Sequence, residues 1–197
     1  MHGEVKKNFF LQTNKKQMDD IPNPFEVPSN PRVFFDISVG DRNIGRIVFE
    51  LFKDVAPKTV ENFRQLCVGD YKRDGKAIGY KGTYIHRAIR NTLIQGGDIL
   101  NGNGTGTLSI YGKTFEDETF QLKHSLPGLL TMANFGPNSN GCQFIITCNA
   151  LPELDNTHVV FGKVVEGMKY VRMLENVTVD DNGVPKLKCQ ITECGQM

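Results

Sequence analysis

The sequence predicts a mainly β protein in which antiparallel strands close into a barrel, with two α-helices covering its ends. Two observations support this fold class. Short runs of β-branched and aromatic residues recur along the chain, and most are bounded by glycine-rich or other turn-forming segments. Two segments have the spacing of an amphipathic helix, and strands do not alternate with helices as they do in parallel α/β folds.

Length and charge exclude several classes of protein. The 197 residues suffice for one domain with a full core and some additional length. The 23 Lys and Arg nearly balance the 22 Asp and Glu, so there is no electrostatic case for a dedicated nucleic-acid binder. No apolar run reaches the roughly 18 residues of a membrane span, and the N-terminus lacks the apolar segment of a secretory signal. We therefore expect a monomeric cytoplasmic or nuclear protein without direct nucleic-acid or membrane partners.

The cysteines give no indication of a metal site. Their number is odd and their spacing matches no zinc module. Reduced thiols that pack as small hydrophobic side chains are favoured over a redox role. Neither a metal nor a cofactor is expected. The five cysteines are Cys67, Cys142, Cys148, Cys189 and Cys194.

Residues 1–30 differ in composition from the rest of the chain. Charged pairs alternate there with few apolar residues, and four prolines fall between Ile21 and Pro31. This composition favours an extended arm over a folded domain, because proline fixes φ and removes a hydrogen-bond donor. The predicted organisation is an N-terminal arm at 1–30 and a barrel domain at 31–197. The arm is either a tail without a role or a docking segment for a partner.

The barrel domain begins with a predicted hairpin and a helix. Two β-rich runs, 33–39 and 44–51, flank turn-forming residues. Residues 57–67 then show apolar side chains at helical spacing, with Pro57 suited to the first turn and Gly69 suited to the end.

The segment from Tyr84 to Ile89 predicts a strand. Regular alternation would place Arg87 on the same face as Ile85 and Ile89. A buried guanidinium without partners is costly, because arginine stays protonated and has five donors to satisfy. Arg87 therefore lies either at a solvated rim of the sheet or against a group that accepts hydrogen bonds. The segment alone favours the rim.

Beyond this strand, further short elements complete the pattern. The glycine-rich segment 102–106 lacks the Lys-Ser/Thr pair of a phosphate-binding loop, so we do not expect it to bind phosphate. The remaining predicted elements are a turn leading into a strand at 126–134, strands at 144–147, 158–165 and 188–194, and a helix marked by Met168, Val171 and Leu174.

Several short motifs occur in the order typical of one family. They include the segments 33–36, 57–63, 79–82, 85–87, 95–98, 104–106, 109–112, 115–118, 132–134, 136–141, 143–144 and 158–162. From Arg32 to Gly195 the chain thus resembles a cyclophilin. The resemblance implies a closed eight-stranded antiparallel barrel with two capping helices. It also implies peptidyl-prolyl cis-trans isomerase activity on proline-containing peptides, without a cofactor. The loop 70–79 and the C-terminal residues resemble most the cyclophilins of the spliceosomal U4/U6 particle.

The resemblance also assigns roles to residues. The catalytic residues it implies are Arg87, His86 and Gln143. Arg87 would be the donor to the twisting prolyl amide, and Gln143 would steady Arg87 or the substrate carbonyl. The Asn134 backbone would hold the peptide as an added strand does. The implied substrate-binding residues are Leu93, Gln95, Ala133, Asn134, Phe135, Ile145, Leu154 and His158.

The sequence departs from the family pattern in the proline pocket. Family members commonly have phenylalanine at positions 92 and 145, where this chain has Thr92 and Ile145. Many have tryptophan where it has Glu153, and a small residue where it has Phe135. Losing two rings would cost about 1–3 kcal/mol of proline binding, or about ten- to a hundredfold in turnover. We therefore expect low activity and weak cyclosporin binding. The alternative is a weakly catalytic or non-catalytic peptide-binding module of a larger complex such as the spliceosome.

Overall fold

The computed structural model describes residues 30–197, so the arm predicted for residues 1–30 lies almost wholly outside the described part. Eight strands form one antiparallel sheet in the order β10-β1-β2-β9-β7-β8-β6-β5. The strands are β1 (Arg32–Val39), β2 (Arg42–Leu51), β5 (Ile85–Ile89), β6 (Leu93–Gly96), β7 (Leu129–Met132), β8 (Phe144–Thr147), β9 (Val160–Glu166) and β10 (Cys189–Gln196). Two-residue strands β3 (Lys72–Arg73) and β4 (Lys76–Ala77) form a separate hairpin. The helices are α1 (Pro57–Val68) and α2 (Met168–Glu175).

The sheet curls until its outer strands β5 and β10 meet. Tyr84 pairs with Gln190 in an isolated antiparallel bridge. The Gly82 amide donates to the Ile191 carbonyl at 2.7 Å, and the Ile191 amide donates to the Thr83 carbonyl at 2.9 Å. These contacts leave a nearly closed barrel, which confirms the predicted fold class.

Aromatic rings fill the barrel. Phe63 of α1 packs on Phe35, Phe144 and Tyr80, with ring centroids 5.0 to 5.7 Å apart. These rings are fully buried. Both the burial of their apolar surface and the contacts between the rings therefore hold α1 across one end of the barrel. Gly69 ends the helix in a left-handed conformation, as predicted, and donates its amide to the Gln65 carbonyl.

Helix α2 anchors the turn between β5 and β6. The buried Glu175 carboxylate accepts hydrogen bonds from the Asn91 amide at 2.9 Å and from Arg172 at 2.8 Å. Asn91 has a φ of 56°, a left-handed conformation that asparagine tolerates better than most residues. The turn is therefore held in place by both its own backbone and the helix.

None of the five cysteines forms a disulfide within residues 30–197, and all but Cys194 are buried. The buried ones are Cys67, Cys142, Cys148 and Cys189. Burial raises the pKa of the Cys148 thiol to about 12 and that of Cys194 to about 11. These environments fit the expected reduced, hydrophobic packing.

No helix within residues 30–197 is long and apolar enough to cross a membrane.

Candidate active site

A groove of about 420 Å³ opens on the barrel wall where β5, β6 and β8 meet the loops after β6 and β7. Its lining includes nearly all of the residues that the sequence assigned to the site, although they are scattered along the chain. The lining residues are His86, Arg87, Leu93, Gln95, Asn103, Gly104, Ala133, Asn134, Phe135, Ile145, Leu154 and His158.

A β-bulge sets the direction of Arg87. The register between β5 and β6 shifts between Ile85 and Arg87. As a result Ile85 and Ala88 belong to the main core, whereas Ile89 packs on the apolar cluster under the groove. The predicted common face for Ile85 and Arg87 is therefore wrong, because the alternation assumed a regular pleat and a bulge moves the following residues to the opposite face.

The sequence left two positions open for Arg87, a solvated rim of the sheet or a place facing a hydrogen-bond acceptor, and the structure is compatible with both. Its side chain is exposed to solvent and also lines the groove. Within residues 30–197 the guanidinium has neither an ion-pair partner nor a hydrogen-bond acceptor. Its donors are thus available to a peptide in the groove.

Gln143 is buried beneath the groove and fully engaged by protein groups. Its amide nitrogen donates to the Gly104 carbonyl at 2.9 Å and to the Gly106 carbonyl at 2.7 Å. Its oxygen accepts a hydrogen bond from Gln95 at 2.9 Å. No hydrogen bond joins it to Arg87 within the described residues, so the geometry assigns Gln143 to positioning Gln95 and the adjacent loop.

The glycine-rich loop after β6 surrounds the side chain of Asp98. The Asp98 carboxylate is buried and accepts hydrogen bonds from five backbone amides of the loop, an arrangement that resembles an anion-binding nest. Burial alone would raise the pKa of Asp98, but the backbone donors outweigh it and the pKa lies below its usual value. The donors are the amides of Leu100, Asn101, Asn103, Gly104 and Gly106, at 2.8 to 3.2 Å.

The floor of the groove is a small apolar cluster separate from the main core. It consists of aliphatic side chains and contains no aromatic ring. Its members are Leu93, Ala133, Ile145 and Leu151, with Ile89 and Leu154 packed against them. Thr92 is not among the groove-lining residues of 30–197; its hydroxyl donates to the Arg90 carbonyl. Glu153 is exposed in a one-turn 3-10 helix and does not line the groove either.

The segment after β7 offers unpaired backbone at the rim. Within residues 30–197, neither the Asn134 amide nor its carbonyl has a hydrogen-bond partner. The side chain of Asn134 donates to the Thr157 carbonyl at 2.7 Å, which fixes the segment against the opposite loop. The next residue, Phe135, presents a ring that is 63% exposed beside the groove. This edge can therefore pair with an extended peptide.

Burial disfavours the charged form of two histidines of the groove. Burial lowers the pKa of His86 and likewise that of His158. Both ring nitrogens of His86 lack hydrogen-bond partners within the described residues. His158 contacts the Thr157 hydroxyl through Nδ1 at 2.9 Å. A neutral imidazole beside Arg87 avoids repulsion between two cations.

Comparisons with known proteins identify the family. Residues 34–196 match the family model described as cyclophilin type peptidyl-prolyl cis-trans isomerase/CLD. This chain belongs to the cyclophilin family. It is 55% identical over 170 residues to peptidyl-prolyl cis-trans isomerase 11 of Caenorhabditis elegans, covering 86% of this chain and 93% of that protein. It is 56% identical to peptidyl-prolyl cis-trans isomerase H of Rhizopus delemar, covering 85% and 94%. Identity to isomerase CYP22 of Arabidopsis thaliana is 55%, covering 86% of each.

Some residues of this cyclophilin's groove were missed by the sequence reasoning. Leu151 belongs to the floor, while Asn103 and Gly104 line the wall. Elsewhere, buried His124 bonds to Asp155 at 2.9 Å and to Thr131 at 3.1 Å, which anchors the loop that holds Leu154 and His158. The available signal in the sequence was a polar residue shortly before a buried strand. Its hydrogen-bond partners, Thr131 and Asp155, lie 7 and 31 residues away, so the local sequence does not identify them.

Proposed function

We propose that this cyclophilin catalyses cis-trans isomerisation of X-Pro bonds in peptides and unfolded chains, with Arg87 as the catalytic residue. The observation that supports this role is the position of its guanidinium. It lines an open groove above an apolar floor and has no partner within residues 30–197. The site therefore joins an available cation to a surface suited to a proline ring.

The proposed mechanism requires no bond cleavage. Rotation about the amide is slow because resonance must be lost, with a barrier of roughly 18–20 kcal/mol. In the twisted state the proline nitrogen recovers its lone pair. A hydrogen bond from Arg87 to that nitrogen, or to the adjacent carbonyl, is stronger in the twisted state than in either planar state. Such differential binding is what lowers the barrier.

The other groove residues would hold the substrate. Leu93, Ile145 and Leu154 would contact the proline ring, and the free backbone groups of Asn134 would pair with the residues preceding it. Gln95, fixed by Gln143, would present its carbonyl oxygen or remaining donor to the peptide. His158 and Ala133 would complete the wall, and neutral His86 would pack beside Arg87.

The proposal includes reduced activity. The floor contains four buried aliphatic side chains and no ring, and Thr92 does not extend into it. A proline ring therefore loses contact area relative to a floor with aromatic side chains. Weak cyclosporin binding follows from the same floor, and an isothermal titration that gave nanomolar affinity would contradict it. We also propose that the protein acts as a monomer and does not bind nucleic acid directly.

The test of the activity itself is a coupled or magnetisation-exchange measurement on a short proline peptide. The full chain should accelerate exchange between the isomers in proportion to its concentration. An unlabelled proline peptide should compete, whereas the same peptide with alanine in place of proline should not. Exchange at the uncatalysed rate over a wide protein concentration would contradict the assignment.

A second function is favoured by Phe135. Its ring is largely exposed at the rim, where it can contact a partner rather than a proline ring. A peptide-binding module of a larger assembly, such as the spliceosomal U4/U6 particle, would use the groove for affinity rather than turnover and would place the protein in the nucleus. Recovery of the same partners by wild-type protein and by Phe135→Ala would argue against this use of the rim.

A further inference from the structure

The outer edge of strand β5 is covered near Arg87 by a tight turn of residues 180–183. Strand β5 is the last strand of the sheet, so its outer amides have no neighbouring strand to pair with there. The carbonyl of Gly183, the last residue of the turn, accepts a hydrogen bond from the Ala88 amide at 2.8 Å. The turn is therefore fixed to the strand at the residue that follows Arg87.

One carboxylate holds the turn in shape. A side-chain oxygen of Asp180 accepts hydrogen bonds from the Asn182 and Val184 amides, each at 2.9 Å. The Gly183 amide donates to the Asp180 carbonyl at 3.0 Å, and the Asp180 amide donates to the Val184 carbonyl at 2.9 Å. Bonds of an aspartate side chain to the backbone just after it are typical of stable turns. The position of Gly183 is therefore set within the turn itself, independently of β5.

Gly183 also lies against the side chain of Arg87. A Cβ at this glycine would be 3.6 Å from Arg87 Cγ and 3.3 Å from the Ala88 carbonyl oxygen. The second distance is shorter than most contacts of real Cβ atoms, and the φ of 80° disfavours any residue that has a Cβ. The turn and the strand thus meet so closely at Arg87 that a larger residue would displace one of them.

Hydrogen bonds do not fix Arg87 among residues 30–197. Its guanidinium has neither an ion-pair partner nor an acceptor there, and Gln143 bonds to other groups. An exposed arginine with free rotamers loses much conformational entropy when a substrate orders it. Contact along its aliphatic stem removes rotamers in the free protein, so less entropy remains to be lost on binding. The backbone of Gly183 provides such a contact.

We propose that the 180–183 turn positions Arg87 for catalysis, with Gly183 as the positioning residue. Its backbone limits the rotamers of the arginine stem, so the guanidinium is directed into the groove before a peptide binds. A donor that is already oriented stabilises the twisted prolyl amide without first being ordered. The proposal deepens the isomerase assignment and rests on it for the role of Arg87, but the restraint on the side chain does not depend on activity.

The first arm of the test measures the Arg87 side chain without a substrate. Three-bond couplings to its Cγ, in the full ¹³C,¹⁵N-labelled chain, report the populations of the χ1 rotamers. We expect one rotamer to dominate in the wild type and Gly183→Ala to redistribute the populations. The matched control is Gly75→Ala, because Gly75 has a similar φ of 75° but its Cβ would meet nothing within 4 Å. Averaging over all rotamers in the wild type, or equal changes in the two variants, would overturn the proposal.

The second arm is a double-mutant cycle, scored by kcat/KM on a short proline peptide at a temperature where every variant is folded. Gly183→Ala should lower kcat/KM about five- to tenfold, and Gly75→Ala should stay within about twofold of wild type. In the Arg87→Ala background, Gly183→Ala should change kcat/KM by less than about twofold, because the side chain that it displaces is absent. An equal loss in both backgrounds would mean that the turn acts on the floor or on folding, and the proposal would be wrong.

Asp180 provides a variant that adds no atoms beside Arg87. Asp180→Ala removes the acceptor that shapes the turn and should lower kcat/KM about fivefold, whereas Asp180→Asn keeps an acceptor oxygen and should stay within about twofold of wild type. Wild-type kcat/KM for Asp180→Ala would contradict the role of the turn. If Arg87→Ala itself matched the wild type, the isomerase role of Arg87 would fail, while the couplings would still decide whether Gly183 restrains its side chain.

Discussion

The main core and the groove floor of this cyclophilin are both apolar, but they are built differently. In the core, Phe63 packs against five other aromatic rings, and the surrounding residues are fully buried. The floor consists of a few aliphatic side chains that lie directly below solvent. Core substitutions should therefore mainly change stability, whereas floor substitutions should mainly change substrate binding.

The largest expected effect on stability is at the core. Phe63→Ala should lower the free energy of unfolding by about 3–5 kcal/mol, because it removes a buried ring and leaves a cavity. Urea denaturation measures this loss. Leu154→Ala, at the half-buried edge of the floor, should lower it by about 1 kcal/mol or less. Similar losses for the two variants would break the distinction between core and floor.

Substitution of Asp98 is expected to change both the stability of the protein and the structure of the groove wall. Asp98→Asn replaces a carboxylate that accepts from five backbone amides with a group that has one acceptor oxygen and two donors. We expect a loss of about 2–3 kcal/mol in unfolding free energy. Amide shifts of Gly104 and Gly106 should also move, since both glycine carbonyls hold Gln143. An unchanged melting temperature would show that the loop is held by other contacts.

The floor itself can be enlarged. Ile145→Phe adds a ring that faces the groove, so we expect kcat/KM on proline peptides to rise about tenfold. Unfolding free energy should fall by about 1–3 kcal/mol or less, since Ile145 lines the groove but is only 5% exposed and the larger side chain adds volume there. Thr92→Phe is the companion variant, and its effect should be smaller unless its ring reaches the floor. A fall in kcat/KM for Ile145→Phe would contradict the proposal that missing rings limit activity.

The smallest effect concerns pH. The pKa of His86 is lowered by burial, so as the pH falls below the usual value of 6.5 the unfolded chain takes up a proton before the folded chain does. Stability is thus complete above that value and is lost as pH falls, by up to about 1.4 kcal/mol per pH unit for one group. His86→Leu should flatten the dependence of unfolding free energy between pH 7 and 5. The pH dependence that remains in the variant would come from His158. If unfolding free energy of His86→Leu depended on pH as in the wild type, the lowered pKa of His86 would be contradicted.

The sequence predicted the elements whose pattern is local. The first hairpin, both helices and strand β8 follow from runs of β-branched and aromatic residues, helical spacing and Gly69. Strand β6 was missed by pattern, because Gln95 and Gly96 interrupt its apolar residues, whereas the equally short β8 is a continuous run of aromatic and β-branched residues. The eighth strand was expected only through the family resemblance.

The candidate site was predicted through family motifs rather than through local pattern. The bulge at His86 could not be predicted, since nothing in a five-residue strand distinguishes a regular pleat from a shifted register. The bonds of Gln143 to Gly104 and Gly106 join positions 39 and 37 residues apart, so their formation depends on the closed barrel. For the same reason, the role of Asp98 became visible only in the structure.

The central claim, that Arg87 is the catalytic donor, is tested by kcat/KM of Arg87→Ala on a short proline peptide. Arg90→Ala is the matched control, because Arg90 is also an exposed arginine, three residues away and outside the groove lining. We expect Arg87→Ala to lose about a hundredfold, the scale of removing one donor to a developing charge. Arg90→Ala should stay within about twofold. Equal kcat/KM for wild type and Arg87→Ala, with both proteins folded, would contradict the account.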